Sequence, residues 1–143
     1  MLYRLLLFVS LSVFVSCSKG NSDSLFTLLD ASQTGIDFTN EVKNGENMNI
    51  FKYRNFYNGG GVAIGDINND GLADIFFISN QGANKLYLNK GDFKFEDISV
   101  ASGIQGKKAW STGVVMVDIN GDGFLDIYVL DAGSNIDAIR KSQ

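Results

Sequence analysis

The chain has 143 residues, 16 acidic and 12 basic, with a formal net charge of −4, and it contains 16 glycines but neither proline nor histidine. This length corresponds to about one domain. The negative charge argues against a nucleic-acid partner, and the absence of histidine excludes Ser-His-Asp catalysis and most zinc sites.

The N-terminus has the features of an export signal. Arg4 supplies a positive charge, and the apolar run from Leu5 to Val15 is too short to span a bilayer as a helix. The only cysteine, Cys17, follows Phe14-Val15-Ser16, which resembles the lipobox of bacterial lipoproteins. We therefore predict a helical signal peptide over residues 1–16, lipidation of Cys17 and a flexible tether over residues 17–24. The alternative is that Cys17 is a buried free thiol.

Two short strands are predicted after the tether, at Leu25 to Leu29 and Ile36 to Val42, with a turn at Asp30 to Gly35 between them. The segment from Phe51 to Tyr57 interleaves aromatic and basic residues. Such a pattern suits stacking on bases or sugars, but packing beneath a β-sheet is the better interpretation because the net charge is negative.

The most informative stretch is an oxygen-rich loop that begins at Asp66. It has side-chain oxygens at positions 1, 3, 5 and 9, a glycine at position 6 and a backbone carbonyl at position 7, which together suit Ca²⁺. The predicted ligands are Asp66, Asn68, Asp70, the carbonyl of Leu72, and Asp74. Polar turns use the same residue types without a metal, which is the alternative for a single copy.

A second copy of this loop starts 52 residues later and makes the metal interpretation much stronger. Its predicted ligands are Asp118, Asn120, Asp122, the carbonyl of Phe124, and Asp126. Position 12, where helix-loop-helix calcium sites carry a glutamate, is Phe77 or Val129. A short apolar run follows each loop, so we predict that the loops join strands and that the chain binds two Ca²⁺ ions.

Apolar residues around the loops define the predicted sheets. Val62 to Ile64 enters the first loop and Val114 to Val117 the second, while Lys85 to Leu88 and Phe93 to Ile98 form a predicted β-hairpin. Each unit of 52 residues would then hold about four strands, as does one propeller blade. Within the loops, we expect Ile67, Ile119, Ala73 and Leu125 to point inward, and Trp110 to pack at a blade edge.

The residues from Gly61 to Ile75 and from Asn84 to Gly91 resemble FG-GAP/VCBS repeats, the calcium-binding blades of integrin-α-type and cartilage-acidic-protein-like β-propellers. The resemblance implies an all-β partial β-propeller of about two blades with antiparallel sheets after the signal helix. It places the repeat region at residues 25–143, with blade units at about 59–110 and 111–143. Because propellers close with typically about 4 to 8 blades, we expect this chain to be the N-terminal fragment of a longer parent.

These features predict a calcium-binding, lipid-anchored surface protein without catalytic activity. We expect an exported lipoprotein of the bacterial outer membrane or cell surface, held to the membrane by its lipidated N-terminus. It would act as an adhesion or ligand-binding module for a protein or a glycan, without a nucleic-acid partner. The alternative is an accessory or catalytic domain of a carbohydrate-active enzyme, but catalytic carboxylates need different environments and these two loops are nearly identical.

Overall fold

A computed structural model describes residues 25–106 and 110–132. The predicted signal peptide, Cys17 and the tether lie outside these residues. The elements are, in order, α1 (Ala31–Thr34), β1 (Val62–Gly65), β2 (Asp74–Phe77), β3 (Lys85–Asn89), β4 (Phe95–Asp97), β5 (Ser111–Val117) and β6 (Asp126–Asp131). In the described part of the chain, no helix is long and apolar enough to cross a bilayer.

The first sheet contains β1 to β4 in sequence order, and every neighbouring pair is antiparallel. The predicted hairpin of Lys85 to Leu88 with Phe93 to Ile98 is confirmed as β3 and β4, whose strands are joined by a turn at Gly91. Pairing aligns Ala63 with Phe76 and Phe76 with Leu86. Since directly opposed residues point to the same face, these three side chains form one apolar surface.

The second sheet is the antiparallel pair β5 and β6, which packs on that apolar surface. The core residues Phe76, Ile78 and Leu86 are almost fully buried and contact four residues of the second sheet, Val114, Met116, Ile127 and Val129. Burying an aliphatic or aromatic side chain of this size stabilises the fold by about 1.5–3 kcal/mol. The all-β class with antiparallel sheets is therefore confirmed.

Glycines allow the first strands of the two sheets, β1 and β5, to approach closely. A Cβ atom on Gly65 would lie 2.6 Å from Cδ1 of Leu125 and 3.0 Å from Sδ of Met116. The space beside Gly65 is thus filled by one side chain of β5 and one of the second loop.

The N-terminal arm, residues 25–43, contains no β-strand, so the predictions of strands at Leu25 to Leu29 and Ile36 to Val42 are wrong. Leu25 and Leu28 are each 93% exposed, so these two side chains are not part of the core formed by the described residues. The predicted turn at Asp30 to Gly35 is a single helical turn, closed by Gly35 in the left-handed conformation.

Side chains rather than a backbone ladder hold the arm to the outer face of the first sheet. Phe38 stacks on Phe77 with ring centroids 4.8 Å apart, and the Tyr87 hydroxyl donates a hydrogen bond of 2.8 Å to Asp37. Burial, and this bond to Asp37, raise the pKa of the buried Tyr87 phenol. The alternating apolar pattern of Ile36 to Val42 therefore reflects contact with a sheet, not membership of one.

A buried polar junction joins the arm to both sheets. The Asn40 side-chain amide donates to Oδ1 of Asn80 at 2.7 Å, while Nδ2 of Asn80 donates to the carbonyls of Gly59 at 2.9 Å and Ser111 at 2.8 Å. Asn80 is 2% exposed. Its side chain thus supplies hydrogen bonds to backbone carbonyls at the start of both sheets.

Trp110 and the aromatic segment pack together at the same end of the sheets. Trp110 is buried and stacks on the fully buried Phe56 with centroids 5.2 Å apart, and Tyr53 meets its edge at 5.5 Å. This supports the packing interpretation of the segment, although Phe51 is 97% exposed.

Two of the four loop residues predicted to point inward do so. Ile67 of the first loop packs on the core, and Leu125 of the second loop is half-buried. The prediction is wrong for Ala73, because the next residue, Asp74, is fully buried and successive residues of an extended chain point to opposite sides. It is also wrong for Ile119, which is 63% exposed because it lies on the outer side of the second sheet, where no other described sheet packs.

An ion pair at the edge of the first sheet predicts a specific response to acid. Burial opposes ionisation of Asp97, but hydrogen bonds from Lys85 and Ser99 outweigh it and lower its pKa to about 2. Because the unfolded value is about 3.9, ionised Asp97 favours the folded state above that pH, and its contribution is lost as the pH falls through about 2.

We therefore expect Asp97→Asn to lower the free energy of unfolding by about 1 kcal/mol at neutral pH and by progressively less below pH about 4. Urea denaturation of both proteins across this range measures the difference. If the difference in unfolding free energy between the two proteins stayed constant down to pH about 2, the lowered pKa of Asp97 would be contradicted.

Candidate metal centre

The first loop connects β1 to β2 and folds around the carboxylate of Asp66. Its oxygens accept hydrogen bonds from the amide of Asp70 at 3.1 Å and the amide of Gly71 at 2.7 Å. Asn69 and Gly71 have φ angles of 58° and 85°. This left-handed region is readily adopted by glycine and tolerated by asparagine, so the residue types suit the turn.

Three of the predicted ligand side chains lie together on this loop. Nδ2 of Asn68 donates to Oδ2 of Asp70 at 2.9 Å, and Oδ1 of Asn68 accepts from the same Asp70 amide that donates to Asp66. Asn68 and Asp70 are exposed, and Asp66 is half-buried. The loop thus presents two carboxylates and an amide oxygen at one side, all close to solvent.

Asp74, the fourth predicted side-chain ligand, has a different environment. It is fully buried, and its two oxygens accept hydrogen bonds from the amides of Ile67 at 3.0 Å and Asn89 at 2.8 Å. Asn89 ends β3, so this carboxylate joins the start of the loop to the third strand. Each carboxylate oxygen has a second lone pair, so these bonds leave acceptor capacity for a cation.

The second loop repeats this hydrogen-bond network. Asp118 accepts from the amides of Asp122 at 3.1 Å and Gly123 at 2.9 Å, and Nδ2 of Asn120 donates to Oδ2 of Asp122 at 2.9 Å. Asp126 accepts from the amide of Ile119 at 3.1 Å, as Asp74 does from Ile67. Asp126 is only half-buried, and no strand equivalent to β3 lies beside it among the described residues.

The donor set fits a hard cation, although in residues 25–106 and 110–132 no three acidic side chains converge closely enough to enclose one. All the side-chain atoms predicted to bind the metal are oxygens, with neither sulfur nor imidazole among them, as Ca²⁺ requires. The side chains bond mainly to amides of their own loops. Asp74 also holds the amide of Asn89 in β3, so it could bind an ion only through its remaining lone pairs. Both ligand sets therefore stay predictions that the chemistry of the loops suits.

The two loops contact each other, which the sequence did not predict. Nδ2 of Asn69 donates a hydrogen bond of 3.0 Å to the carbonyl of Gly123, 54 residues further along the chain. The residue equivalent to Asn69 in the second loop is Gly121. This difference at position 4, between two loops that otherwise share their ligand types, was the available signal that Asn69 has a separate role.

Two antiparallel sheets, each with the same nine-residue loop between its first two strands, define a β-repeat protein. The family model described as FG-GAP-like repeat matches residues 66–129, so this stretch of the chain is similar to that repeat. The chain is similar to Cartilage acidic protein 1 of Xenopus tropicalis, with 42% identity over 74 residues, and of Homo sapiens, with 38% over 72 residues. These matches cover 51% and 50% of the chain but 11% of each relative, so the chain corresponds to a small part of either protein.

Proposed function

We propose that this region is a calcium-binding repeat module in which each loop holds one Ca²⁺ ion. The observation that carries the proposal is the duplication: both loops have the same side-chain oxygen donors at the same spacing, with the same hydrogen bonds between positions 1, 3 and 5. A turn needs only some of these oxygens, whereas a cation site needs all of them. In the first loop the ion would be held by Asp66, Asn68, Asp70, the Leu72 carbonyl and Asp74, and in the second by their five equivalents.

The bound ions would stabilise the fold rather than take part in a reaction. Each loop carries three carboxylates within nine residues, whose mutual repulsion a divalent cation relieves. Each loop also joins two strands of one sheet, β1 to β2 or β5 to β6. Holding the loop therefore holds the strands that bury the core.

We further propose that the module serves adhesion or ligand binding outside the cell, with a protein or glycan as ligand. The FG-GAP-like repeat is a non-enzymatic domain type, which supports this function over a carbohydrate-active enzyme.

The outer side of the second sheet carries four apolar side chains that are between 41% and 54% exposed: Val115, Val117, Tyr128 and Leu130. Further repeats of a longer protein would cover this surface.

Export and lipidation of Cys17 complete the proposal and rest on the sequence of the N-terminal segment. A lipidated Cys17 followed by the polar residues 18–24 would place the repeat region next to a membrane surface. Calcium outside cells is abundant enough for weak sites, whose dissociation constants are about 10⁻⁴ to 10⁻³ M in extracellular modules.

Thermal unfolding in calcium and in chelator tests the metal sites. At about 10 mM Ca²⁺, each site with such a constant stabilises the folded chain by about 1.4–2.7 kcal/mol, and the two sites together raise the melting temperature by about 10–20 °C. Asp70→Ala and Asp122→Ala should each remove about half of this increase. Equal melting temperatures in calcium and in chelator would refute the calcium assignment.

A further inference from the structure

We infer that the two loops bind calcium cooperatively, and that the hydrogen bond from Asn69 to the carbonyl of Gly123 carries the coupling. This inference rests on the proposed calcium sites, because it concerns how filling one site affects the other. The bond is 3.0 Å long and joins position 4 of the first loop to position 6 of the second.

Both ends of this bond lie next to predicted ligands. Asn69 is flanked by Asn68 and Asp70, whose side chains bond to each other. On the other side, the Gly123 carbonyl belongs to the peptide unit whose N–H, that of Phe124, donates to Oδ1 of Asp122 at 2.9 Å. Any rearrangement that draws the ligands of one loop together therefore moves or fixes the atom that the other loop contacts.

The loops are also held at their bases, so this contact does not join two independently moving segments. Leu125, which follows Phe124, packs beside Gly65, which precedes Asp66, and Met116 of β5 fills the same space. The ends of the two loops are thus fixed relative to each other. Under that constraint the Asn69 bond can form only when both loops adopt compatible conformations.

The choice of asparagine at position 69 supports a role beyond turn formation. Its φ angle of 58° lies in the left-handed region, where glycine is favoured, and the equivalent Gly121 has a φ of 76°. Glycine would satisfy the backbone at Asn69 equally well. The feature that asparagine adds is the side-chain amide, and that amide reaches the second loop.

The expected cooperativity is positive: calcium in one loop should increase the affinity of the other loop. Filling one loop orders its half of the contact, so the second loop loses less conformational freedom when it binds. A single hydrogen bond of ordinary strength supports a coupling factor of about two- to tenfold. Repulsion between the two cations opposes it but is screened at about 0.15 M salt because the loops are exposed to solvent.

Isothermal titration of the full chain with Ca²⁺, in mild detergent because residues 5–15 are apolar, measures the coupling. Asp122→Ala leaves only the first site and Asp70→Ala only the second. The product of the two binding constants of the unsubstituted protein, divided by the product of these isolated constants, is the coupling factor. We expect a value of about 2–10, and a value near 1 when Asn69→Gly is present throughout the cycle.

Gly121→Asn is the matched control, because it places the same side chain at the equivalent position, where a Cβ would meet no other atom within 4 Å. It should leave the coupling factor unchanged. A coupling factor near 1 in the unsubstituted chain would overturn the inference while leaving the calcium sites intact. A coupling factor that stays at about 2–10 in the presence of Asn69→Gly would do the same. Absence of any saturable binding would instead overturn the proposed function, and the coupling with it.

Discussion

Replacing Asp74 by asparagine is expected to lower the free energy of unfolding by about 3 kcal/mol, measured by urea denaturation in the presence of chelator. The carboxylate is fully buried and accepts hydrogen bonds from the amides of Ile67 and Asn89. Asparagine has a single acceptor oxygen, so its NH₂ group would face one of these two N–H groups. That amide would then be buried without a partner.

The matched control is Asp126→Asn in the second loop. Asp126 is half-buried and accepts from the Ile119 amide at 3.1 Å, and an asparagine oxygen can replace that acceptor. The expected loss is about 1 kcal/mol or less in chelator. Equal losses at the two positions would contradict the structural role assigned to Asp74. Because chelator is present throughout, this comparison separates the role of Asp74 in folding from any role in metal binding.

Gly60→Ala is expected to destabilise the chain by about 3 kcal/mol, at the upper end of the range for overpacked sites. A Cβ at this position would lie 2.4 Å from the backbone oxygen of Ile78, and a backbone atom cannot move aside as a side-chain end can. Displacing Ile78 would also weaken its amide hydrogen bond to Gly61, 3.0 Å long, and disturb the core.

Gly45→Ala provides the control for this substitution. A Cβ on Gly45 would have an ordinary contact of 3.9 Å with the oxygen of Met48, so the change should alter the unfolding free energy by less than about 0.5 kcal/mol. Thermal and urea unfolding of both variants measure the effect. A Gly60→Ala protein as stable as Gly45→Ala would show that the close approach of Gly60 to Ile78 is absent in solution.

The sequence predicted those parts of the fold in which local pattern and burial agree. In β3 and β4, alternating residues on both sides of an Asn/Gly turn specified a hairpin, and the structure has that hairpin. The two loops could be located because their ligand types recur at a fixed period. The hairpin and each nine-residue loop are short segments of sequence, and the recurrence of the loop after 52 residues strengthened its interpretation, which is why composition and spacing were enough.

Features that depend on distant contacts could not be predicted in this way. The pattern of Ile36 to Val42 resembles a strand, but the arm is held by Phe38 and Asp37 to a sheet that starts 20 residues later. Ile67 and Ile119 occupy equivalent loop positions, yet only the first lies between two described sheets. The bond from Asn69 to Gly123 likewise appears only once the sheets are packed.

Asn80 links the starts of the two repeats. The two carbonyls that its side-chain amide holds, those of Gly59 and Ser111, lie 52 residues apart, which is the repeat period itself. One side-chain amide therefore connects the start of one repeat to the start of the next through two hydrogen bonds. The position equivalent to Asn80 in the second repeat is Ala132, which has no side-chain donor. An equivalent link from the second repeat to a following one would therefore need a different residue.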